Sequence, residues 1–226
     1  MNIMIIAAHP DDEVFSIGGT IAMHTMMGDQ VYIVNLTNGE PTPYGTVETR
    51  LKEAAKADRI LQIQKRIIMD LPNRYLADTI ENREKVAAHI REYKPDVLLV
   101  QYHVDQHPDH ISASALGTAA RFYAKLTKSN IPGEPHYPKK ILYYYTSHFR
   151  LDKSPTFILP VSKEAFHMKM KAGKAYQSQL KNQKKIALAD RLEWTGRYYG
   201  SLINSEYGEP FYTPEALGIE NLHNIL

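Results

Sequence analysis

The chain has 226 residues, of which 43% are hydrophobic and 23% are charged. This length and balance are typical of one globular domain and exclude a disordered chain. The formal net charge of +2 is too small to predict nucleic-acid binding, so no such partner is expected. The absence of cysteine excludes disulfides, thiol nucleophiles and Cys-ligated metal centres.

Short apolar runs alternate with longer helical stretches through the first two-thirds of the chain. The predicted strands are Ile3–Ala8, Val31–Leu36, Ile67–Met69, Val97–Gln101 and Ile141–Thr146. The predicted helices are Gly18–Met27, Thr46–Leu61, Thr79–Tyr93 and Asp109–Leu126. Continuous apolar runs are typical of strands buried on both faces. The alternation therefore predicts an α/β fold with a doubly wound, mostly parallel sheet and helices on both faces.

The pattern is weaker after about residue 147. A basic stretch, Val161–Lys185, and a second segment, Leu192–Ile203, are predicted to be helical, and the tail that follows is predicted to be irregular. The lysines of the basic stretch fit a solvated helix face, with attraction of an anionic substrate as the alternative. We expect a single domain over residues 1–226, with a core of about 1–146 and a C-terminal appendage of about 147–226.

The first apolar run, Ile3–Ala8, is far shorter than the about 20 residues that a membrane helix needs. No positive charge precedes it and a charged segment follows it, which is unlike a signal peptide. We therefore expect a cytoplasmic protein without a membrane partner. Tyrosine is enriched at subunit interfaces, and the 15 tyrosines favour a homo-oligomer.

Two clusters of ligand-type residues follow the first and the fourth predicted strand. They are His9-Pro10-Asp11-Asp12-Glu13 and His107-Pro108-Asp109-His110. In a doubly wound sheet of the usual order these two strands are neighbours at the switch point, where ligands bind beyond the carboxyl ends. A single His-Pro-Asp segment is more often a turn, because Pro and Asp favour turns. The pair of clusters favours one shared site.

Two imidazoles and a carboxylate from these clusters can hold a divalent metal ion. His9 and Asp12 are three residues apart, and His110 completes a set that leaves a position open for water, as hydrolytic zinc sites require. Zinc lowers the pKa of bound water to about 7, which makes hydroxide available at neutral pH. We expect one Zn²⁺ per chain, with Fe²⁺ or another divalent metal as the alternative.

The other polar residues of the clusters suit catalytic roles. Asp11 points away from Asp12 and could accept a proton from the water. His107, held by Asp109 or Asp105, could stay protonated, stabilise an oxyanion and protonate a leaving amine.

The first cluster, with Ala8 before it and Gly18-Gly19-Thr20 after it, resembles the signature of the PIG-L/LmbE-like N-acetylglucosaminyl deacetylase family. His107–His110 is similar to the second signature of that family. Further similar segments are Asn38–Glu40, Thr49–Glu53 and, more weakly, Glu206–Glu209. The resemblance covers about residues 2–125 well, and the ordered pair of motifs makes it specific.

The resemblance implies a Rossmann-like fold and zinc-dependent removal of an N-acyl group, usually acetyl, from a glucosamine-type amine. By position it implies the metal ligands His9, Asp12 and His110, the general base Asp11, and His107 as acid or stabiliser oriented by Asp109. Arg50 resembles an arginine that contacts the substrate near the acyl group, although its spacing alone predicts a solvated helix face. The expected partner is a small N-acylated amino sugar or glycoconjugate.

Two positions depart from the family pattern. Asn73 stands where many members have Asp, so it keeps hydrogen-bonding ability without the charge, and sugar recognition is expected to differ. Some members carry a C-terminal tyrosine that polarises the scissile carbonyl. The match places Leu188 near that position and leaves Tyr198 or Tyr199 as substitutes.

Two other functions remain open on the residues alone. Two histidines and a carboxylate are also the facial triad of non-haem iron oxygenases, although that chemistry gives Asp11 no role. A non-catalytic Rossmann-like module that binds a sugar or nucleotide is the second alternative.

Overall fold

A computed structural model describes residues 1–146, 154–181, 187–219 and 221. The strands are β1 (Asn2–Ala7), β2 (Gln30–Asn35), β3 (Lys65–Ile68), β4 (Val97–Gln101), β5 (Lys140–Tyr144), β6 (Phe157–Val161) and β7 (Tyr207–Tyr212). The helices are α1 (Asp12–Met26), α2 (Val47–Leu61), α3 (Ile80–Tyr93), α4 (Pro108–Ala124), α5 (Lys163–Gly173), α6 (Gln177–Leu180) and α7 (Leu188–Ser201). None of these helices is both long and apolar enough to cross a membrane.

The strands form one sheet in the order β3-β2-β1-β4-β5-β7-β6. Strands β1 to β5 run parallel, and β7 is antiparallel to both β5 and β6. Strand order reverses at β1, which pairs with β2 on one side and with β4 on the other. The predicted doubly wound fold is therefore confirmed, and the two clusters follow neighbouring strands at its switch point.

Both faces of the sheet are covered, which explains why its central strands are apolar throughout. In β1, Ile3 and Ile5 pack into one core cluster, whereas Met4 and Ile6 pack into the other. Helices α1, α2 and α5 contribute to the first cluster, and α3 and α4 to the second. Alternate side chains of a strand point to opposite faces of the sheet. Because both faces are buried here, the side chains on both sides of the strand are apolar.

The predicted helix starts agree closely with the structure. Thr46 and Thr79 precede α2 and α3, and each side-chain oxygen accepts a hydrogen bond from the backbone N–H three residues on. These are N-cap contacts, which satisfy a helix donor that has no partner within the helix. The exception is the first helix, which begins at Asp12 rather than Gly18 and continues across a non-helical residue, Ile17.

Two predictions for the C-terminal third are wrong. The tail is not irregular throughout, because Tyr207–Tyr212 forms β7. The proline of this strand, Pro210, is tolerated because β7 pairs with β5 only from Phe211 onward. Val161–Lys185 is not one helix. Its first residue ends β6, α5 and α6 are separate, and residues 182–186 lie outside the described part. The chain leaves α5 after Gly173 and buries Ala175 and Tyr176, a tertiary contact that helical spacing does not report.

A buried ion pair links this C-terminal part to the break in α1. Lys169 Nζ donates to Glu209 Oε1 at 2.6 Å and to the Ser16 carbonyl at 2.8 Å. The Glu209 carboxylate accepts from the backbone N–H groups of Gly19 and Thr20 at 3.0 and 2.7 Å. The pair therefore satisfies backbone groups on both sides of Ile17. Lys169 is only 4% exposed, so the solvated-face interpretation is wrong for this lysine.

We predict that Lys169→Met lowers the free energy of unfolding by about 3 kcal/mol, because it leaves the buried Glu209 carboxylate without its counter-charge. Urea denaturation measures the change. Lys171→Met is the matched control, since Lys171 is exposed on the same helix, and its effect should stay within about 0.5 kcal/mol. Equal losses for the two variants would contradict a stabilising role for the ion pair.

Candidate active site

The two predicted clusters meet at one cavity, which has a volume of about 230 Å³, at the carboxyl edge of the sheet. His9 and Asp11 lie between β1 and α1, and His107 lies directly before α4. The lining residues are His9, Asp11, Asp12, Gly39, Pro41, Thr42, Pro43, Arg50, Asn73, Arg74, His107, His110 and Gln179. Every predicted site residue except Asp109 therefore lines this cavity, and Asp109 is buried beside it.

His9, Asp12 and His110 come together as a compact group. Each offers one ligand atom, and these atoms lie within 4.8 Å of one another. Asp12 stands between the rings, with Oδ2 3.1 Å from His9 Nδ1 and Oδ1 3.2 Å from His110 Nε2. All three residues are buried. The ligand atoms of His9, His107 and Asp109 also lie within 4.8 Å of one another, so the geometry offers two ligand sets that share His9.

The electrostatics of this group favour added positive charge. Burial alone would lower the pKa of His9. The negative charge of Asp12 and the hydrogen bonds to Asp109 and Asp12 have a larger effect and raise this pKa to about 9. Burial likewise opposes protonation of His110, yet Asp12 and Asp105 raise its pKa to about 10. Burial would raise the pKa of Asp12, but the two imidazoles hold it well below its usual range. The donor set therefore fits a cation, which would replace the imidazole protons.

A second layer of polar side chains orients the first. Asp105 Oδ2 lies 3.1 Å from His110 Nδ1, and the Gln101 amide donates to Asp12 Oδ2 at 3.2 Å. The Asn35 amide donates to the His9 carbonyl at 3.0 Å. Such contacts fix ring orientation around metal ligands. The sequence signal for Gln101 and Asn35 is a polar residue at the end of an otherwise apolar strand.

Asp109 contacts a different histidine from the one expected. Its carboxylate lies 3.2 Å from His9 Nε2 and accepts a hydrogen bond from the backbone N–H of Arg74 at 2.7 Å. Asp109 reaches His107 through its backbone N–H, which donates to His107 Nδ1 at 3.2 Å. The reason is that His107 is the N-cap of α4, and an N-cap side chain accepts from this turn of the helix.

The surroundings of His107 favour its neutral form. Burial, together with the neighbouring His110 and His9 rings, lowers the pKa of His107 below its usual value. This direction opposes the expectation that His107 stays protonated. Because Nδ1 accepts a hydrogen bond, the neutral ring carries its proton on Nε2.

Asp11 is held by Arg50. Nη1 of Arg50 donates to Asp11 Oδ2 at 2.6 Å and to the Pro10 carbonyl at 2.8 Å, and Nε donates to Glu40 Oε1 at 3.2 Å. Burial raises the pKa of Asp11 to about 7, although the Arg50 charge acts in the opposite direction. Asp11 also has a φ of 133°, a strained conformation for a residue with a side chain. Arg50 is only 2% exposed, so the solvated helix face expected from its spacing is wrong.

The remaining predicted residues separate into two cavities. Asn73 lines the cavity that holds the two clusters, and its Oδ1 is buried without a hydrogen-bond partner among the described residues. Tyr198 and Tyr199 line another cavity, of about 400 Å³, together with Leu188. Among the described residues that line the cavity of the two clusters there is no tyrosine.

A doubly wound α/β sheet with a buried His/Asp/His cluster at its switch point defines a Rossmann-like protein with a candidate metal site. The chain belongs to the PIG-L family, whose sequence profile, described as GlcNAc-PI de-N-acetylase, matches residues 4–121. The predicted family is thereby confirmed, and so is the prediction of a deacetylase-type enzyme at the level of the family.

Individual proteins are similar over nearly the whole chain. The diacetylchitobiose deacetylase of Thermococcus kodakarensis is 28% identical over 222 residues, which cover 92% of this chain and 80% of that protein. The crystal structure of the conserved protein TT1542 from Thermus thermophilus matches with a TM-score of 0.88 and 34% identity, covering 96% of this chain and 97% of that one.

One structural neighbour has a different activity. GalB, the 4-carboxy-2-hydroxymuconate hydratase of Pseudomonas putida KT2440, matches with a TM-score of 0.81 over 98% of this chain and 99% of that one. Its 20% identity shows the fold alone. Because this fold carries more than one reaction, the activity has to be argued from the site.

Proposed function

We propose that the protein is a metal-dependent N-deacetylase that hydrolyses the amide of an N-acetylglucosamine-type sugar. The observation that carries this proposal is the buried group of His9, Asp12 and His110 beside the carboxylate of Asp11. The description of the family and the name of the Thermococcus relative support an N-acetylated sugar as the substrate.

His9, Asp12 and His110 would hold the metal ion. Two imidazoles and one carboxylate are a common ligand set of hydrolytic zinc sites, so we propose zinc, with Fe²⁺ as the second choice. When bound, the ion would polarise the amide carbonyl and lower the pKa of a water molecule. This set is preferred over His9, His107 and Asp109 because backbone N–H groups of Arg74 and Leu76 occupy both oxygens of the Asp109 carboxylate, whereas the backbone and amide donors of Asp12 all bind Oδ2.

Asp11 acts as the general base in this proposal. It accepts a proton from the water that attacks the carbonyl carbon, and its raised pKa of about 7 matches a group that exchanges protons at neutral pH. Arg50 fixes the Asp11 carboxylate through its contact with Oδ2. As the C–N bond breaks, the amine must take up a proton, and acetate is the other product.

His107 acts as the oxyanion stabiliser. Its neutral ring would donate a hydrogen bond from Nε2 to the carbonyl oxygen, where negative charge develops in the transition state. The acid role expected for His107 requires a protonated ring, because a neutral ring that gave up its Nε2 proton would become an imidazolate anion. In this proposal Asp11 therefore returns the proton that it took from the water to the leaving amine. Asp109 is a positioning residue, because its backbone N–H fixes the His107 ring and its carboxylate contacts His9.

Arg50 and Asn73 bind substrate in this proposal. Nη2 of Arg50 has no hydrogen-bond partner within the described part of the chain, and Asn73 Oδ1 is buried and unpaired there. The first group can donate to an acyl oxygen and the second can accept from a sugar hydroxyl. The cytoplasmic location and the homo-oligomer remain predictions.

Substitution of single side chains by alanine should distinguish the two ligand sets. We expect the wild-type protein to retain about one metal ion per chain after dialysis, as a single hydrolytic site requires. Asp12→Ala and His110→Ala should lose most of it, whereas His107→Ala should retain it. Elemental analysis of the folded variants measures the content. Loss in His107→Ala with retention in Asp12→Ala would assign the metal to the other set.

The catalytic assignment is tested by release of free amine from N-acetylglucosamine and diacetylchitobiose. Asp11→Asn should lower kcat by about 10²- to 10⁴-fold, because the amide cannot accept the proton, while metal content stays at the wild-type level. A chelator should abolish the wild-type activity and zinc should restore it. Turnover that is indifferent to the chelator, or full activity of the Asp11 variant, would refute the proposal.

A further inference from the structure

One residue of the C-terminal third reaches the catalytic cavity. Of the described residues after residue 146, Gln179 alone is among those that line it. It lies on the short helix α6, outside residues 4–121 that the family profile matches. Gln179 is half-buried, and neither the metal group nor the Asp11–Arg50 pair contacts it in any hydrogen bond of the described residues. The proposed chemistry therefore leaves it without a role.

A buried carboxylate fixes α6 against α2. Glu53 accepts two hydrogen bonds from Ser178, one from the backbone N–H at Oε1 and one from the hydroxyl at Oε2, both at 2.7 Å. Both residues are buried, and hydrogen bonds to a charged carboxylate are stronger than neutral ones. Glu53 lies three residues after Arg50 and so on the same side of α2. Glu53, which anchors α6, therefore lies on the same helix as Arg50, which anchors Asp11.

The same contacts fix which end of the Gln179 amide faces Ser178. The Ser178 hydroxyl has one proton, and it goes to the Glu53 carboxylate, which can only accept. The amide atom 2.9 Å from Ser178 Oγ must therefore be the nitrogen Nε2. Nε2 also donates to Thr42 Oγ1 at 3.4 Å, another residue of the cavity wall. The amide oxygen Oε1 takes part in none of the hydrogen bonds of the described residues.

We propose that Gln179 is a specificity-determining residue whose Oε1 accepts a hydrogen bond from one hydroxyl group of the sugar. Glu53 and Ser178 are positioning residues that hold the amide for this contact. Together with Asn73 Oδ1, the cavity then presents two neutral acceptors, which suit hydroxyl donors and disfavour a carboxylate or phosphate at those two points. This inference rests on the proposed deacetylation of an N-acetylglucosamine-type sugar.

The experiment compares N-acetylglucosamine with its 3-, 4- and 6-deoxy analogues on wild type and Gln179→Ala. We expect Gln179→Ala to raise KM for the parent sugar about 3- to 10-fold, as for one neutral hydrogen bond, with kcat nearly unchanged. For one of the analogues, wild type and variant should have equal KM values, because the hydroxyl partner is missing in both. A purely structural defect would instead change all four sugars by the same factor, and that result would overturn the inference.

The anchoring contacts are tested with a matched pair of variants on α2. In Glu53→Gln, one carboxylate oxygen becomes an amide nitrogen, which donates and cannot accept the second hydrogen bond from Ser178. Ser178 then no longer holds the Gln179 amide in place, so this variant should reproduce the KM increase of Gln179→Ala. The two changes should not add in the double variant, since they act on one contact. Glu48→Gln, at an exposed position of the same helix, should leave KM unchanged. Full additivity of Glu53→Gln and Gln179→Ala would contradict the positioning role.

Calorimetric binding of the same sugars to the metal-loaded protein separates this inference from the proposed reaction. If the wild type is inactive but still binds N-acetylglucosamine more tightly than Gln179→Ala does, the proposed deacetylase activity is refuted and recognition of the sugar by Gln179 is supported. If the wild type is active and its Kd and KM equal those of Gln179→Ala for every sugar, only the role proposed for Gln179 is refuted. Metal content should be equal in all variants.

Discussion

The site depends on one buried carboxylate, that of Asp12, which lies between the rings of His9 and His110. An isolated charge at this depth would be strongly destabilised, so the carboxylate requires positive charge on both sides. His9 lies in the loop after β1 and His110 lies in the first turn of α4, which follows β4, and only the reversal of strand order at β1 makes these two strands neighbours. The topology of the sheet and the chemistry of the site are therefore coupled through Asp12.

Around this group, each ring nitrogen and each carboxylate oxygen has a neighbour that limits its freedom. Gln101 and Asp105 act from the β4 side, and Asn35 acts from the end of β2. Arg50 holds Asp11 from α2. Residues from β2, α2, β4 and the loop after β4 thus contribute one constraint each, which explains how residues at the irregular edge of the sheet can keep a fixed arrangement.

The sequence predicted those parts that local pattern and topology rules determine. The two clusters could be placed together because each directly follows a buried strand and the switch-point rule makes those strands adjacent. The burial of Arg50 and Lys169 could not be predicted, because helical spacing marks both as surface positions and their partners are distant in the chain. The contribution of Gln179 was missed for the same reason: it depends on a single contact between α2 and a four-residue helix.

The backbone at Asp11 is strained, and its neighbours have to compensate for that strain. Its positive φ disfavours any side chain, and glycine would adopt the same conformation without that penalty. Glycine would, however, leave the buried guanidinium of Arg50 without its contact to the Asp11 carboxylate, and removal of one partner of a buried ion pair is itself destabilising. The ion pair with Arg50 therefore offsets the backbone penalty at residue 11 and disfavours the glycine that the backbone alone would select.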